Sequence, residues 1–219
     1  PAGMQSSLGV QARWLNHRME KHLQGNHLFS NAKALIFAGV CFEGAEPAKW
    51  VRRGVKTIGR QIDEQILSDG GHFERSPMYH GLFVKDILDL LVLVDAAPHS
   101  FKKSEHEIFL RLRRHMPDLM HWYACMTHPD GQIAFFNDTT FNVAPSFDEL
   151  AQYAEKVGIN QKPCPKFCEH LNASGFARLA AGEAIIIADV GNVGPSYLPG
   201  HAHAGTLSFE LSVKTNRVI

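Results

Sequence analysis

From residue 10 to about residue 126, apolar residues recur every three or four positions and turn signals cut the stretch into long pieces, the period of helices that bury one face. Five such faces are legible. Trp14, Leu15, Met19 and Leu23 mark the first, and Leu28, Leu35, Ile36 and Val40 the second. Trp50, Val51, Val55, Ile58, Ile62 and Ile66 mark the third, Leu82, Ile87, Leu90, Leu91 and Val94 the fourth, and Ile108, Leu112, Met116, Leu119 and Trp122 the fifth. Helices joined by short loops pack as antiparallel neighbours. After His128-Pro129-Asp130-Gly131 the character changes: residues 132–137 form a short apolar segment and 147–157 one more helical stretch. Residues 162–165 read as a proline-rich linker, and beyond Ser174 the period falls to two, predicting strands over 175–179, 184–188 and 206–213. Helices first and strands last argue for segregated domains of α+β type, 1–160 helical and 161–219 the beginning of an antiparallel β-sheet domain.

Composition narrows the function classes. The chain has 219 residues, 45% hydrophobic and 20% charged, the profile of a folded globular protein. Lys and Arg number 22 against 22 Asp and Glu, with no basic tract, which argues against a nucleic-acid binder held by phosphate neutralisation. The apolar runs at 88–94 and 184–188 fall far short of the roughly 20 residues of a membrane-spanning helix. Cys41, Cys125, Cys164 and Cys168 are too scattered for a disulfide scaffold or a zinc knuckle and read as structural thiols. Gly191-Asn192-Val193-Gly194 lacks the third glycine and the strand-turn-helix setting of a dinucleotide fingerprint. The chain opens on Pro1 and stops at Ile219 inside a predicted strand, so a fragment is expected.

Thirteen histidines are many for this length, and where they fall matters. His17, His22, His106, His115 and His121 lie on helix faces and read as surface or packing residues; those beside turns can point into a cleft. Three loops stand out. Gln24-Gly25-Asn26-His27 joins two helices, with Asn26 a candidate cap. Residues 69–80, Asp-Gly-Gly-His-Phe-Glu-Arg-Ser-Pro-Met-Tyr-His, hold more titratable groups than a structural loop needs. In the third, Pro199-Gly200-His201-Ala202-His203-Ala204, an extended backbone puts His201 and His203 on one face, where they can share a metal, divide into ligand and base, or pair with carbonyls.

These blocks, with Asn31-Ala32-Lys33-Ala34-Leu35 after the first and Leu207-Ser208-Phe209-Glu210-Leu211 after the third, resemble the heparinase II/III-like polysaccharide lyases in order and spacing. The resemblance implies part of an (α/α) helical toroid followed by the start of a β-sandwich, and a periplasmic or secreted protein. It implies β-elimination beside a uronic acid in an acidic polysaccharide of heparan sulfate, heparin or alginate type: a base removes the C5 proton and the oxygen at C4 leaves. The C5 proton is weakly acidic, so the adjacent carboxylate must have its charge offset.

By the same resemblance Asn26 and His27 do this, Tyr79 protonates the leaving oxygen and in some members acts as base, and His201 is the base on the other face. His203 is implied as a ligand of a structural Zn2+ completed by an Asp and a His further along. His72, Glu74, Arg75 and Asn137 are candidate substrate contacts, with an internal Glu74–Arg75 ion pair and a turn-forming Asn137 as the alternatives. Relatives commonly carry an acidic residue where Gly205 stands, a departure that leaves room for a non-catalytic glycan-binding or polysaccharide-assembly protein. A metal-dependent hydrolase using His201 and His203 is a third reading.

Overall fold

The computed structural model describes residues 2–160, 162, 165 and 167–219. Among them are six α-helices, α1 Ala2–His17, α2 Gly25–Cys41, α3 Ala45–Gln65, α4 Pro77–Ala96, α5 Lys103–Cys125 and α6 Phe147–Lys156. Five strands follow: β1 Cys168–Leu171, β2 Phe176–Ala181, β3 Ala184–Asp189, β4 Phe209–Val213 and β5 Asn216–Arg217. The contacts group the chain into two compact units, residues 1–63 with 89–113, and residues 64–88 with 114–219.

In the first unit the second and third faces read from the sequence form the core. Phe29, Ala32, Leu35 and Ile36 of α2 and Trp50, Val51, Val55, Ile58 and Ile62 of α3 are all buried. Lys33 pairs with Asp89 at 2.5 Å, and Arg13 with Glu46 at 2.8 Å. The first face needs correction. α1 begins at Ala2, well before residue 10, and ends at His17, so Met19 and Leu23 lie past it, and Trp14 is 66% exposed. The helix yields there because a turn competes successfully: the Asn31 side chain accepts from the Glu20 backbone N–H at 3.0 Å and donates to the Glu20 carboxylate at 3.1 Å.

The second unit holds the sheet, an antiparallel meander in the order β1-β2-β3-β4-β5. Its core joins Trp122 and Cys125 of α5 and the following Met126 to Ala134 and Phe136, and to Leu171, Phe176 and Ile187 of the sheet. The His128–Gly131 tetrapeptide is a turn, as read, and Arg217 fastens the sheet beside it, bonding Asp130 at 2.9 Å, Glu210 at 2.8 Å and the carbonyls of Gln132 and Ile133. α6 starts on a capping box, Ser146 with Glu149.

Two strand expectations shift. β1, Cys-Glu-His-Leu, has no alternating pattern of its own and is a strand because β2 pairs with it, Cys168 opposite Leu179 through Leu171 opposite Phe176. The predicted strand at 206–213 begins only at Phe209, because Leu207 takes a left-handed φ of 71° and the chain turns there. The linker read at 162–165 falls largely outside the described residues, as does Cys164. Cys41 and Cys168 are exposed free thiols, and Cys125 is buried.

The β1–β2 turn depends on a backbone contact. Gly175 has φ 82°, and a Cβ there would stand 2.5 Å from the Gly191 Cα. Gly182, in the β2–β3 turn at φ 59°, has open space around it. Gly182→Ala is therefore expected to cost about 1 kcal/mol of unfolding free energy, the left-handed penalty alone, and Gly175→Ala about 3 kcal/mol or more. Denaturant midpoints of the two variants compare them directly; equal losses would refute the contact.

Candidate active site

Tyr79 is placed by a helix start. Ser76-Pro77 supplies the cap and the first helical residue of α4: the Ser76 hydroxyl accepts from the Tyr79 N–H at 3.4 Å, and its carbonyl accepts from the His80 N–H at 2.9 Å. That hydroxyl also donates to the Asp138 carbonyl at 3.0 Å. The preceding loop is pinned by Asp69, which accepts from Gly71 N–H at 3.0 Å and from Ser174 N–H at 2.7 Å, while Ser174 accepts from the Trp122 indole at 2.9 Å.

The imidazoles of this loop are buried. His72 lies against Phe73 and Phe83, with Nε2 3.0 Å from the Gln65 side-chain oxygen, and burial holds its pKa well below the usual value, aided by His80 and His201. His80 donates from Nε2 to the Leu119 carbonyl at 2.9 Å and accepts at Nδ1 from the His72 N–H at 3.2 Å. Burial pushes its pKa down to about 4. Both rings are neutral at pH 7 and both hydrogen-bond inside the protein. Glu74 is 2% exposed, its Oε2 3.8 Å from His72 Nδ1 and 3.8 Å from His201 Nε2.

The long β3–β4 loop, residues 190–208, is docked on the tyrosine loop within the same unit. Arg75 donates from Nη1 to the Asn192 carbonyl, and Tyr197 stacks on Phe73 with ring centres 6.3 Å apart. Asn137, in a left-handed conformation at φ 54°, joins the two: its amide donates to the Arg75 carbonyl at 2.8 Å and its side-chain oxygen accepts from the His203 N–H at 3.1 Å. Next to it Asp138 donates from its backbone N–H to the His201 carbonyl at 3.1 Å. Its Oδ2 lies 2.9 Å from His201 Nδ1 and 3.4 Å from the Tyr79 hydroxyl. The Tyr79 and His201 rings are 3.9 Å apart between centres, tilted by 36°. Burial, then the Asp138 carboxylate, raises the Tyr79 pKa above its usual 10, so the phenol is protonated at neutral pH.

One unit thus brings together Tyr79, His201, His72, Glu74, Arg75 and Asn137. Asn26 and His27 lie in the other unit, in the first turn of α2, where the cap position falls to Gln24 and no side chain caps. His27 Nδ1 stands 3.4 Å from Glu20. His201 and His203 are not strand neighbours: the 199–207 stretch is a series of turns, so His201 turns to Asp138 while His203 is exposed. Among the described residues no three His, Cys, Asp or Glu side chains are grouped to hold a metal ion, so these residues do not fit a complete zinc site. Sequence reasoning passed over Asp138. Its Phe136-Asn137-Asp138-Thr139 setting was the available signal, but a turn aspartate and one that faces two rings look alike in a string of letters.

A family model described as heparinase II/III N-terminus matches residues 5–159, and one described as heparinase II/III-like, C-terminal, matches 166–219. A heparin-sulfate lyase of Bacteroides stercoris is 32% identical over 116 residues, covering 52% of this chain and 17% of that protein. The FtsZ-localized protein C of Caulobacter vibrioides is 27% identical over 210 residues, 95% of this chain and 34% of that one. The crystal structure of heparinase III superposes with a TM-score of 0.76 at 22% identity over 95% of this chain and 36% of its own. The expected fold, part of a helical toroid followed by the start of a β-sandwich, is the fold of that structure over the matched region. The chain spans about a sixth to a third of the length of these relatives.

The buried imidazoles set a pH dependence. Folded His80 resists protonation down to about 4, whereas in the unfolded chain it titrates near 6.5. Between those values the unfolded state binds more protons, so stability is fully present above about pH 6.5 and falls as the pH drops toward 4. His80 alone accounts for up to about 3 kcal/mol of that loss. Unfolding free energies measured across the interval should fall steeply in the parent and less steeply in His80→Gln; parallel slopes would refute the assignment.

Proposed function

The chain belongs to the heparinase II/III family, and from that premise we propose that it acts as a polysaccharide lyase, breaking uronate-containing acidic chains of heparan sulfate, heparin or alginate type by β-elimination. The observation that supports this reading is the pairing of Tyr79 with His201, two proton-transfer groups from distant parts of the sequence with rings 3.9 Å apart. In the proposed reaction His201 takes the C5 proton, and the C5–H electrons form the C4–C5 double bond. The C4–O4 bond then breaks, and O4 receives the phenolic proton of Tyr79. A phenol whose pKa is raised suits the acid half of that division. Asn26 and His27 are the proposed partners of the uronate carboxylate, lowering the barrier to the charge that develops on it.

The remaining candidates take graded parts in this reading. His72 and Glu74 are buried and act behind the reacting groups, Asn137 ties their loops, and half-buried Arg75 is the proposed substrate contact. An Arg suits carboxylate or sulfate because its fork donates two parallel hydrogen bonds. The expected Zn2+ remains part of the proposal through His203 alone, and no step is routed through it.

A second reading is favoured by the relative named for localisation to FtsZ, whose name carries no lyase activity although it aligns with 95% of this chain. A non-catalytic glycan-binding or assembly protein would keep the fold and lose turnover. Gly205 fits that reading in one respect: a side chain there would meet the Asp189 carboxylate at 3.4 Å, so an acidic residue would place two like charges together.

The readings separate on the products formed from a panel of uronate polysaccharides by the full-length protein. Elimination leaves an unsaturated uronate with a new near-ultraviolet absorbance, hydrolysis leaves reducing ends without it, and a binder yields affinity alone. Tyr79→Phe is expected to lower turnover by at least about 100-fold with binding nearly unchanged. Full turnover in that variant would overturn the assignment.

A further inference from the structure

Asp138 faces both proposed proton-transfer groups, its side chain is 51% exposed, and its backbone is held separately, donating to the His201 carbonyl and accepting from the Ser76 hydroxyl. We propose that Asp138 is a positioning residue for the lyase reaction, its Oδ2 accepting from His201 Nδ1 and from the Tyr79 hydroxyl so that one oxygen sets the orientation of both. The inference rests on the reading that Tyr79 and His201 perform the elimination.

The geometry carries the argument. A carboxylate oxygen has no hydrogen to give, so both contacts require the partner to donate. At 2.9 Å from Nδ1, Asp138 selects the ring form with its proton on Nδ1 and leaves Nε2 as the nitrogen that exchanges protons with substrate. At 3.4 Å it draws the phenolic O–H in the same direction, a contact long enough to be released when the leaving oxygen competes for the proton. Asn137, the neighbouring residue, bonds to the backbone of both loops, so the amide fixes the loops and the carboxylate fixes the rings. The Glu74 carboxylate, 3.8 Å from Nε2, is too distant for a hydrogen bond to that nitrogen. Orientation of the imidazole therefore falls to Asp138.

The test uses the full-length protein with Asp138→Ala and Asp138→Asn, reading kcat and KM separately on the polysaccharide that the parent cleaves. Both variants are expected to lose about 10- to 100-fold in kcat with KM within about threefold and an unchanged melting temperature. Asp138→Glu, which keeps the carboxylate, should recover part of that loss. Asp138→Ala should add little to the loss already present in His201→Ala, since the two act as a unit. Nitrogen-15 spectra give a readout that needs no turnover: the His201 Nδ1–H form seen in the parent should give way to a mixture of ring forms in Asp138→Ala. Unchanged kcat, a rise confined to KM, or identical His201 spectra would each overturn the proposal. If the parent cleaves none of the polysaccharides, the lyase reading fails on its own, and the spectra still decide whether Asp138 orients His201.

Discussion

The site depends on one amide. The Asn137 side chain bonds the Arg75 carbonyl on one side and the His203 N–H on the other, joining two loops that lie more than a hundred residues apart in sequence. Closing so long a loop costs conformational entropy, although the cost grows only slowly with length. The contacts that offset it are local and specific: Arg75 on the Asn192 carbonyl, Tyr197 on Phe73, and the backbone bond from Asp138 to His201. Asn137 itself adopts a left-handed φ, which asparagine tolerates better than most residues, so its side chain and its backbone are both required at this corner.

Around that corner the histidines divide by burial. His72 and His80 are buried, which disfavours their charged forms; His72 bonds through Nε2 to Gln65, and His80 through both ring nitrogens. His201 is partly exposed and bonds through Nδ1 to a solvent-facing carboxylate. The buried His80 ring is bonded at both nitrogens and has no proton to trade with a substrate, whereas the partly exposed His201 ring, bonded at one nitrogen, keeps the other for exchange in the proposed reading.

Much of this was legible in the residues. The three- and four-residue spacing located α2 to α5, because buried helix faces leave that period in the sequence. The titratable groups clustered in residues 69–80 do meet others from distant segments, His201 among them. What stayed hidden was pairing. β1 exists through its partner, α1 stops where Asn31 captures the Glu20 turn, and His201 and His203 part company because the chain turns around them instead of extending. Asp138 was invisible for the same reason: its meaning lies in which rings it faces, and neither ring is near it in sequence.

A carboxylate beside the reacting groups would ordinarily count against a site for an anionic polymer. Asp138 escapes this objection through its partners. Two donors converge on its Oδ2, and a carboxylate whose charge is drawn into hydrogen bonds with an imidazole and a phenol presents less of it to solvent. Glu74, the second carboxylate, is almost fully buried, so a substrate would not touch it. These 219 residues are neutral as a set and contain no basic tract, so they offer no diffuse positive field of their own. Recognition by this unit in the proposed reading then comes from short-range contacts, with Arg75 meeting individual carboxylates or sulfates. Such contacts depend on geometry and are less sensitive to salt than a diffuse field, and this places the weight of specificity on the same loops that Asn137 holds in register.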